Sequence, residues 1–267
     1  LMAGVIAEAL YATVVSRRVT GEDLKESDQA PDLQSELTYG KLFWFHLPLA
    51  ATSLLTLLAQ PLVTFSLARL ENPTQSLAAW PLIFQVVLMA RAAAMALPEA
   101  VIALTRGPES YGPVRRFSLS LAALSGLGML LLAFTPLLTF YLERIQDTEP
   151  AIATLAASGT RLFLIFPTLF VLVSWLRGLL ISRHATTVVN VGMALNLTTT
   201  IVVLVLGVAG RYSGITVAAV ALNAAVLVEL VYLLWRTQLA LDAGPIFGSL
   251  AEWLPLRPET RWRRWRA

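Results

Sequence analysis

The chain has 267 residues, of which 57% are hydrophobic and 14% are charged, with a net charge of +3 and a mean hydropathy of +0.69. A soluble domain carries about 25% charged residues, so this composition excludes an ordinary water-soluble globular protein. The chain contains no cysteine, which excludes disulfide bonds, thiolate metal sites and cysteine nucleophiles.

Seven apolar windows follow one another along the sequence. They cover residues 1–15, 42–68, 77–104, 117–142, 151–182, 185–210 and 212–235. The first is short, but each of the other six exceeds the roughly 20 residues that cross a bilayer as a helix. The windows lack the alternating pattern of barrel strands, and helices satisfy their own backbone in lipid. We therefore predict an all-α, polytopic membrane bundle with six full transmembrane helices.

The basic residues are distributed unevenly along this arrangement. Fourteen of the twenty fall in loops on one side of the membrane and three on the other, and the remaining three lie within the windows. Because cytoplasmic loops accumulate Lys and Arg, we predict a cytoplasmic C-terminus and a multi-pass protein of the cell (plasma or inner) membrane. The predicted domains are the end of a preceding helix (1–15), a cytoplasmic linker (16–40), a six-helix lobe (41–238) and a cytoplasmic tail (239–267).

The tail is rich in tryptophan and arginine, from Trp253 to the run of residues 262–266. Nucleic-acid binding also uses aromatic and basic side chains. A Trp/Arg segment just after a cytoplasmic helix end is more simply an interfacial anchor on anionic lipid. We expect membrane lipid as a partner and no nucleic acid.

An internal repeat links the first and last windows. Glu8 and Tyr11 stand 221 residues before Glu229 and Tyr232, with valine also in register, and both helices run toward a basic cytoplasmic exit. The pattern predicts two parallel six-helix halves. The sequence begins inside an apolar run, so we expect the chain to be a fragment that keeps the last helix of the first half and all of the second, with the N-terminal lobe as its missing partner.

A set of motifs occurs along these windows in a fixed order. They are the run of residues 43–50, Gln60-Pro61-Leu62-Val63, Leu67-Ala68-Arg69, Pro98-Glu99, Arg115-Arg116-Phe117, Thr135-Pro136, Arg161-Leu162-Phe163, Phe166-Pro167 and Gly178. In order and spacing they resemble the second lobe of the progressive ankylosis family. This family belongs to the multidrug/oligosaccharidyl-lipid/polysaccharide exporter superfamily, which includes the MATE transporters.

The resemblance implies two six-helix lobes around a central cavity that opens alternately to either side. It implies secondary active export of a small organic or phosphate-containing anion. The alternative within the same superfamily is a lipid-linked oligosaccharide flippase, which needs an apolar groove beside a cationic cavity.

Charged residues inside the windows are the candidate functional residues, because a charge at membrane depth is costly. Arg91 and Arg161 fall about 20 Å and 15 Å from the outer ends of their helices, at 1.5 Å per residue. Their similar depth near the midplane predicts a shared anion site. The competing interpretation is that each arginine neutralises Glu99 or Glu229.

The remaining charged residues within the windows have structural as well as functional interpretations. Glu99 is either a proton-coupling carboxylate or a structural partner of another helix. Glu8 and Glu229 lie near the cytoplasmic face, where a carboxylate reaches water easily, and we favour a structural role for both. Arg177 lies about one turn from the same face, and we expect it to reach water along the helix surface.

Pro61 and Pro167 interrupt their windows and are candidate hinges, although a static bend is the more frequent use of an intramembrane proline. Neither histidine stands at metal-ligand spacing, and the common hydrolase motifs are missing. We expect no cofactor, no metal and no enzymatic activity.

The topology leads to a labelling prediction. Cysteines introduced singly at Arg116 and Trp262 should react with a membrane-impermeant maleimide only from the cytoplasmic side, and those at Glu71 and Asp147 only from outside. The chain has no native cysteine, so it supplies its own unlabelled control. Labelling of Asp147→Cys from the cytoplasm alone would reverse the predicted orientation.

Overall fold

The computed structural model describes residues 6–7, 9–16, 39–40, 57–105, 108–183 and 185–241. The chain divides into two compact units, residues 1–50 and 51–267. The helices of the second unit, in chain order, are α1 (Leu57–Leu67), α2 (Pro73–Met95), α3 (Leu97–Leu104), α4 (Pro108–Phe134), α5 (Pro136–Phe140) with a π-helical turn at Tyr141–Ile145, α6 (Pro150–Arg161), α7 (Phe166–Ser182), α8 (Thr186–Ala209) and α9 (Gly214–Leu241).

The predicted all-α class is confirmed, since the described part of the chain is helical and contains no strand. Four helices are long and apolar enough to cross a membrane: Pro73–Leu104, Ser110–Phe134, Thr186–Ala209 and Gly214–Thr237. A fifth span exists if α6 and α7 are counted as one broken span. The two helices are bent by 49° relative to each other. These lengths are consistent with a multi-pass membrane protein.

Of the six predicted spans, four or five are seen among the described residues. Of the window 42–68, the described helix covers Leu57–Leu67 alone. Several sequence predictions lie outside the described residues: Glu8, most of the linker, and the tail beyond residue 241.

Helix α7 lies at the centre of the second unit. It packs against α2, α3, α4, α8 and α9, and ten of its seventeen residues are buried. Since a helix that is apolar all round belongs in the interior, its composition agrees with this position. Its buried side chains include Trp175, Leu176 and Leu179.

Gly178 permits the closest approach between α7 and α3. A Cβ atom on Gly178 would lie 2.8 Å from the carbonyl oxygen of Pro98 and 2.8 Å from the Cβ of Val101. Neither is the flexible end of a side chain, so no side chain larger than hydrogen fits at this crossing. Small residues at helix crossings serve the same purpose in membrane bundles generally.

The break between α6 and α7 follows from Pro167. Proline lacks the N–H that would bond the carbonyl of Phe163, and that carbonyl instead accepts from the Phe166 N–H at 3.1 Å. The Leu162 carbonyl thereby loses its normal partner, Phe166. The Nδ2 amide of Asn223 on α9 donates to it at 3.0 Å, so the break is satisfied by a neighbouring helix, as a membrane interior requires.

A second break, between α4 and α5 at Thr135, precedes Pro136. Here the carbonyl of Ala133 accepts a 3.4 Å hydrogen bond from Nε of Arg161. The Arg161 guanidinium also lies 5.5 Å from the ring centroid of Phe134. Arg161 therefore caps the end of α4.

The role of Asn223 can be tested by a double-mutant cycle. Asn223→Ala leaves the Leu162 carbonyl without its partner, and we expect a loss of about 1–2 kcal/mol in unfolding free energy. Pro167→Ala restores an N–H and lets Phe166 bond Leu162, so Asn223→Ala should cost less in that background. The measurement is unfolding in mixed detergent micelles. Additive effects of the two changes would contradict this role of Asn223.

Candidate functional site

A cavity of about 190 Å³ opens within the bundle beside the α6–α7 break. Helices α1, α2, α7, α8 and α9 contribute to its wall, and most of the lining side chains are apolar or aromatic. They are Ala59, Gln60, Trp80, Phe84, Val87, Arg91, Met95, Phe163, Phe166, Phe170, Arg177, Met193, Asn196, Leu197, Leu222 and Val226.

Five aromatic side chains form a connected wall of this cavity. Trp80 lies 6.1 Å from Phe84 and 6.2 Å from Phe163, measured between ring centroids. Phe163 meets Phe166 edge to face at 5.7 Å, and Phe166 stacks on Phe170 at 6.0 Å. These separations are within the range in which aromatic rings attract each other beyond simple burial.

Arg91 reaches the cavity between two of these rings. Its guanidinium carbon lies 4.6 Å from the centroid of Phe170 and 5.6 Å from that of Phe84. Its Nε atom is buried and has no hydrogen-bond partner among the described residues. A guanidinium that faces aromatic rings keeps the N–H groups on its edge free to donate. Arg91 is thus placed to bind an anion.

The second arginine of the cavity is Arg177, and it is paired. Its Nε donates to Oε1 of Glu229 at 2.7 Å, and its Nη2 contacts the same oxygen. The other oxygen of Glu229 accepts from Nδ2 of Asn196 at 2.8 Å. One carboxylate therefore joins α7, α8 and α9.

The expectation that Arg177 reaches water at the cytoplasmic face is wrong, because its guanidinium pairs with the buried carboxylate of Glu229. Glu229 is 0% exposed and the side chain of Arg177 is 20% exposed. The pair turns inward because a charge inside the bundle is stabilised by an opposite charge and by hydrogen bonds, as buried ions require. The structural interpretation of Glu229 agrees with these contacts.

The cavity wall carries one uncompensated positive charge. Arg91 and Arg177 contribute two positive charges to the wall, and Glu229, which does not line the cavity but pairs with Arg177, contributes one negative charge, which leaves +1. The unbalanced charge is that of Arg91, because Arg177 is neutralised by its partner.

The structure does not bring Arg161 to this cavity. Arg161 is exposed, caps Ala133 and is not among the lining residues. The second arginine that joins Arg91 in the cavity wall is instead Arg177. The predicted neutralisation of Arg91 or Arg161 by Glu99 or Glu229 is also not seen among the described residues.

Glu99 lies in the first turn of α3 and is exposed. A carboxylate there is favoured by the helix dipole, and within the described ranges no hydrogen bond or ion pair joins it to another side chain. Pro167 stands beside the 49° bend, as expected of a kinking residue. Pro61 lies inside α1, which continues through it as a helix.

Sequence reasoning missed Trp80, Asn196 and Asn223. An amide inside an apolar window is a polar group that needs a partner. The position of the two asparagines in apolar windows could therefore have predicted hydrogen bonds to other helices. Nothing in the sequence predicts a cavity position for Trp80, because a tryptophan near a helix end is ordinarily interpreted as an interfacial anchor.

No protein family model, curated protein or solved structure matches this chain. The family resemblance of its motifs therefore stays a prediction, and function is inferred from the cavity.

Breaking the buried pair should be strongly destabilising. Glu229→Gln or Arg177→Gln alone leaves a buried charge without its partner, and we expect a loss of about 3–5 kcal/mol in unfolding free energy. The double replacement Arg177→Met with Glu229→Met should recover most of that loss. Glu143→Gln, at an exposed position, is the control. A single replacement as mild as the control would refute the pairing.

Proposed function

We propose that this protein is a MATE-like secondary active transporter that exports a small organic or phosphate-containing anion by alternating access. It belongs in the plasma or inner membrane with its C-terminus in the cytoplasm. The observation that carries the proposal is Arg91, an uncompensated guanidinium in the wall of a cavity to which helices of membrane-spanning length contribute.

Because a charge in a bilayer is costly, the presence of Arg91 in an apolar span indicates a partner or a substrate for it. An ionisable group at membrane depth is retained where it faces a partner or a substrate pathway. Arg177 has such a partner in Glu229, whereas the described contacts of the Arg91 guanidinium are aromatic faces. An anion entering the cavity supplies the missing counter-charge, and an arginine fork suits a carboxylate or phosphate.

The broken α6–α7 span supports the alternating-access part of the proposal. Transporters commonly build their sites beside discontinuous helices, where irregular backbone lines a cavity. Here Phe163 and Phe166, at the break, also line the cavity. A change in the 49° bend would move part of the cavity wall, which gives Pro167 its proposed hinge role.

Glu99 is the proposed coupling carboxylate. It is exposed within an apolar span and has no described partner that neutralises it, so it is accessible to a proton or cation. Arg161 keeps its proposed substrate role only if the exposed edge of its guanidinium reaches the transport path. Its bond to Ala133 favours a structural role.

The flippase alternative is less well supported. An apolar groove of about 380 Å³ does exist, lined by residues of α8, of the α8–α9 turn and of α9, such as Leu206, Tyr212 and Val220. It shares no lining residue with the cationic cavity, whereas a lipid-linked sugar needs the two side by side. The volume of about 190 Å³ around Arg91 suits a small anion better than an oligosaccharide.

The test is anion efflux from proteoliposomes that contain the full-length protein. Labelled citrate, pyrophosphate and a monocarboxylate are loaded, and efflux is followed under a proton or sodium gradient. Arg91→Gln should reduce efflux about 10- to 100-fold, because it removes a charge-assisted bond to the anion.

Arg144→Gln is the matched control, since Arg144 is exposed and lies away from the cavity. Insertion and monodispersity of each variant are checked by size-exclusion chromatography. If the wild type moves no anion, or if Arg91→Gln and Arg144→Gln transport equally, the proposal fails.

A further inference from the structure

The side chains of the cavity wall restrict the chemical class of the bound anion as well as the sign of its charge. The polar side chains among the lining residues are Gln60, Arg91, Arg177 and Asn196, and two of these are engaged by Glu229. The rest of the wall is aromatic or aliphatic, and one of its aromatic residues, Trp80, also carries an N–H donor. A ligand here meets one free positive charge and several aromatic faces.

A second donor belongs to Trp80, whose ring contacts both Phe84 and Phe163 in the aromatic wall. Trp80 is 4% exposed, and its Nε1 is buried with no hydrogen-bond partner among the described residues. Buried polar atoms in folded proteins are almost always paired, so each orphan requires an explanation. Arg91 Nε and Trp80 Nε1 are two such orphans on side chains that line one cavity.

Both donor side chains lie beside the ring of Phe84. Its ring centroid lies 5.6 Å from the Arg91 guanidinium and 6.1 Å from the Trp80 ring. Arg91 and Trp80 therefore both adjoin one aromatic ring. A ligand that satisfies both has an anionic group at one end, a flat apolar body, and an acceptor at the other end.

We infer that the cavity binds a planar aromatic monocarboxylate that carries a second hydrogen-bond acceptor opposite its carboxylate, with the carboxylate on Arg91 and the acceptor on Trp80. This inference rests on the proposed function and narrows its substrate class. The aromatic ring of the ligand lies against the wall formed by Phe84, Phe163, Phe166 and Phe170.

Charge and size both favour this class. Citrate and pyrophosphate bring several negative charges to a wall whose net charge is +1, and the surplus would be buried without partners. An apolar cavity of about 150 Å³ is known to hold benzene. A cavity of about 190 Å³ therefore has room for one aromatic ring and a short acid group.

The experiment measures equilibrium binding to the full-length protein in nanodiscs by calorimetry. Four probes are compared: 4-hydroxycinnamate, cinnamate, 3-cyclohexylpropionate and citrate. We expect 4-hydroxycinnamate to bind most tightly. Cinnamate lacks the distal acceptor and should bind about 2- to 10-fold more weakly. 3-Cyclohexylpropionate lacks the flat ring as well and should be weaker again, with citrate the weakest.

Variants assign each end of the ligand. Trp80→Phe keeps the aromatic face and removes the N–H, so it should weaken 4-hydroxycinnamate about 2- to 10-fold and leave cinnamate unchanged. Arg91→Gln should weaken both aromatic acids by more than about tenfold.

Trp175→Phe is the matched control. Trp175 is also buried and its Nε1 lacks a described partner, but it does not line the cavity. It should change neither affinity. Equal effects of Trp80→Phe and Trp175→Phe, equal binding of 3-cyclohexylpropionate and cinnamate, or tighter binding of citrate would each overturn the inference.

The same probes in proteoliposomes separate this inference from the proposed function. If 4-hydroxycinnamate binds as expected but no anion crosses the membrane, the site is correct and the transport function is wrong. If citrate crosses in an Arg91-dependent manner and 4-hydroxycinnamate does not bind, transport stands and the substrate class is wrong.

Discussion

The carboxylate of Glu229 has no exposed surface, and the arrangement of the central helices depends on how its charge is satisfied. Arg177 on α7 and Asn196 on α8 both bond to it, so three helices are fixed to one another through a single group. In an apolar interior a charge without such partners is strongly unfavourable. This requirement selects one rotational setting of α7, α8 and α9, where apolar packing alone accepts several similar ones.

Satisfying Glu229 also determines the electrostatics of the cavity. With Arg177 engaged, Arg91 is left as the unbalanced charge, beside Phe84 and Phe170. Aromatic faces partly stabilise a guanidinium without occupying its N–H groups. The protein thus keeps a cation inside an apolar span in a form that remains able to donate hydrogen bonds.

At the two proline breaks, as at the ion pair, a polar group is satisfied by a side chain from another helix. Each leaves a backbone carbonyl without its usual helical partner, and each carbonyl accepts a hydrogen bond from a side chain of another helix: Leu162 from Asn223, and Ala133 from Arg161. Broken helices persist in apolar surroundings only when neighbours replace the lost hydrogen bonds. The bend beside the cavity is therefore a supported structural feature, and it brings Phe163 and Phe166 into the cavity wall.

The sequence alone determined the helical class, the apolar spans and the presence of Arg91 within one of them, because hydropathy and the cost of intramembrane charge are properties of local composition. It also located the kink at Pro167, since proline removes a hydrogen bond wherever it stands. The partners were decided only by tertiary structure. Depth along each helix made Arg161 look equivalent to Arg91, but helix rotation turns Arg161 to the end of α4 and Arg177 to the cavity. Depth can be counted from the residues of one helix, whereas rotation depends on which side chains of other helices satisfy a buried charge or carbonyl.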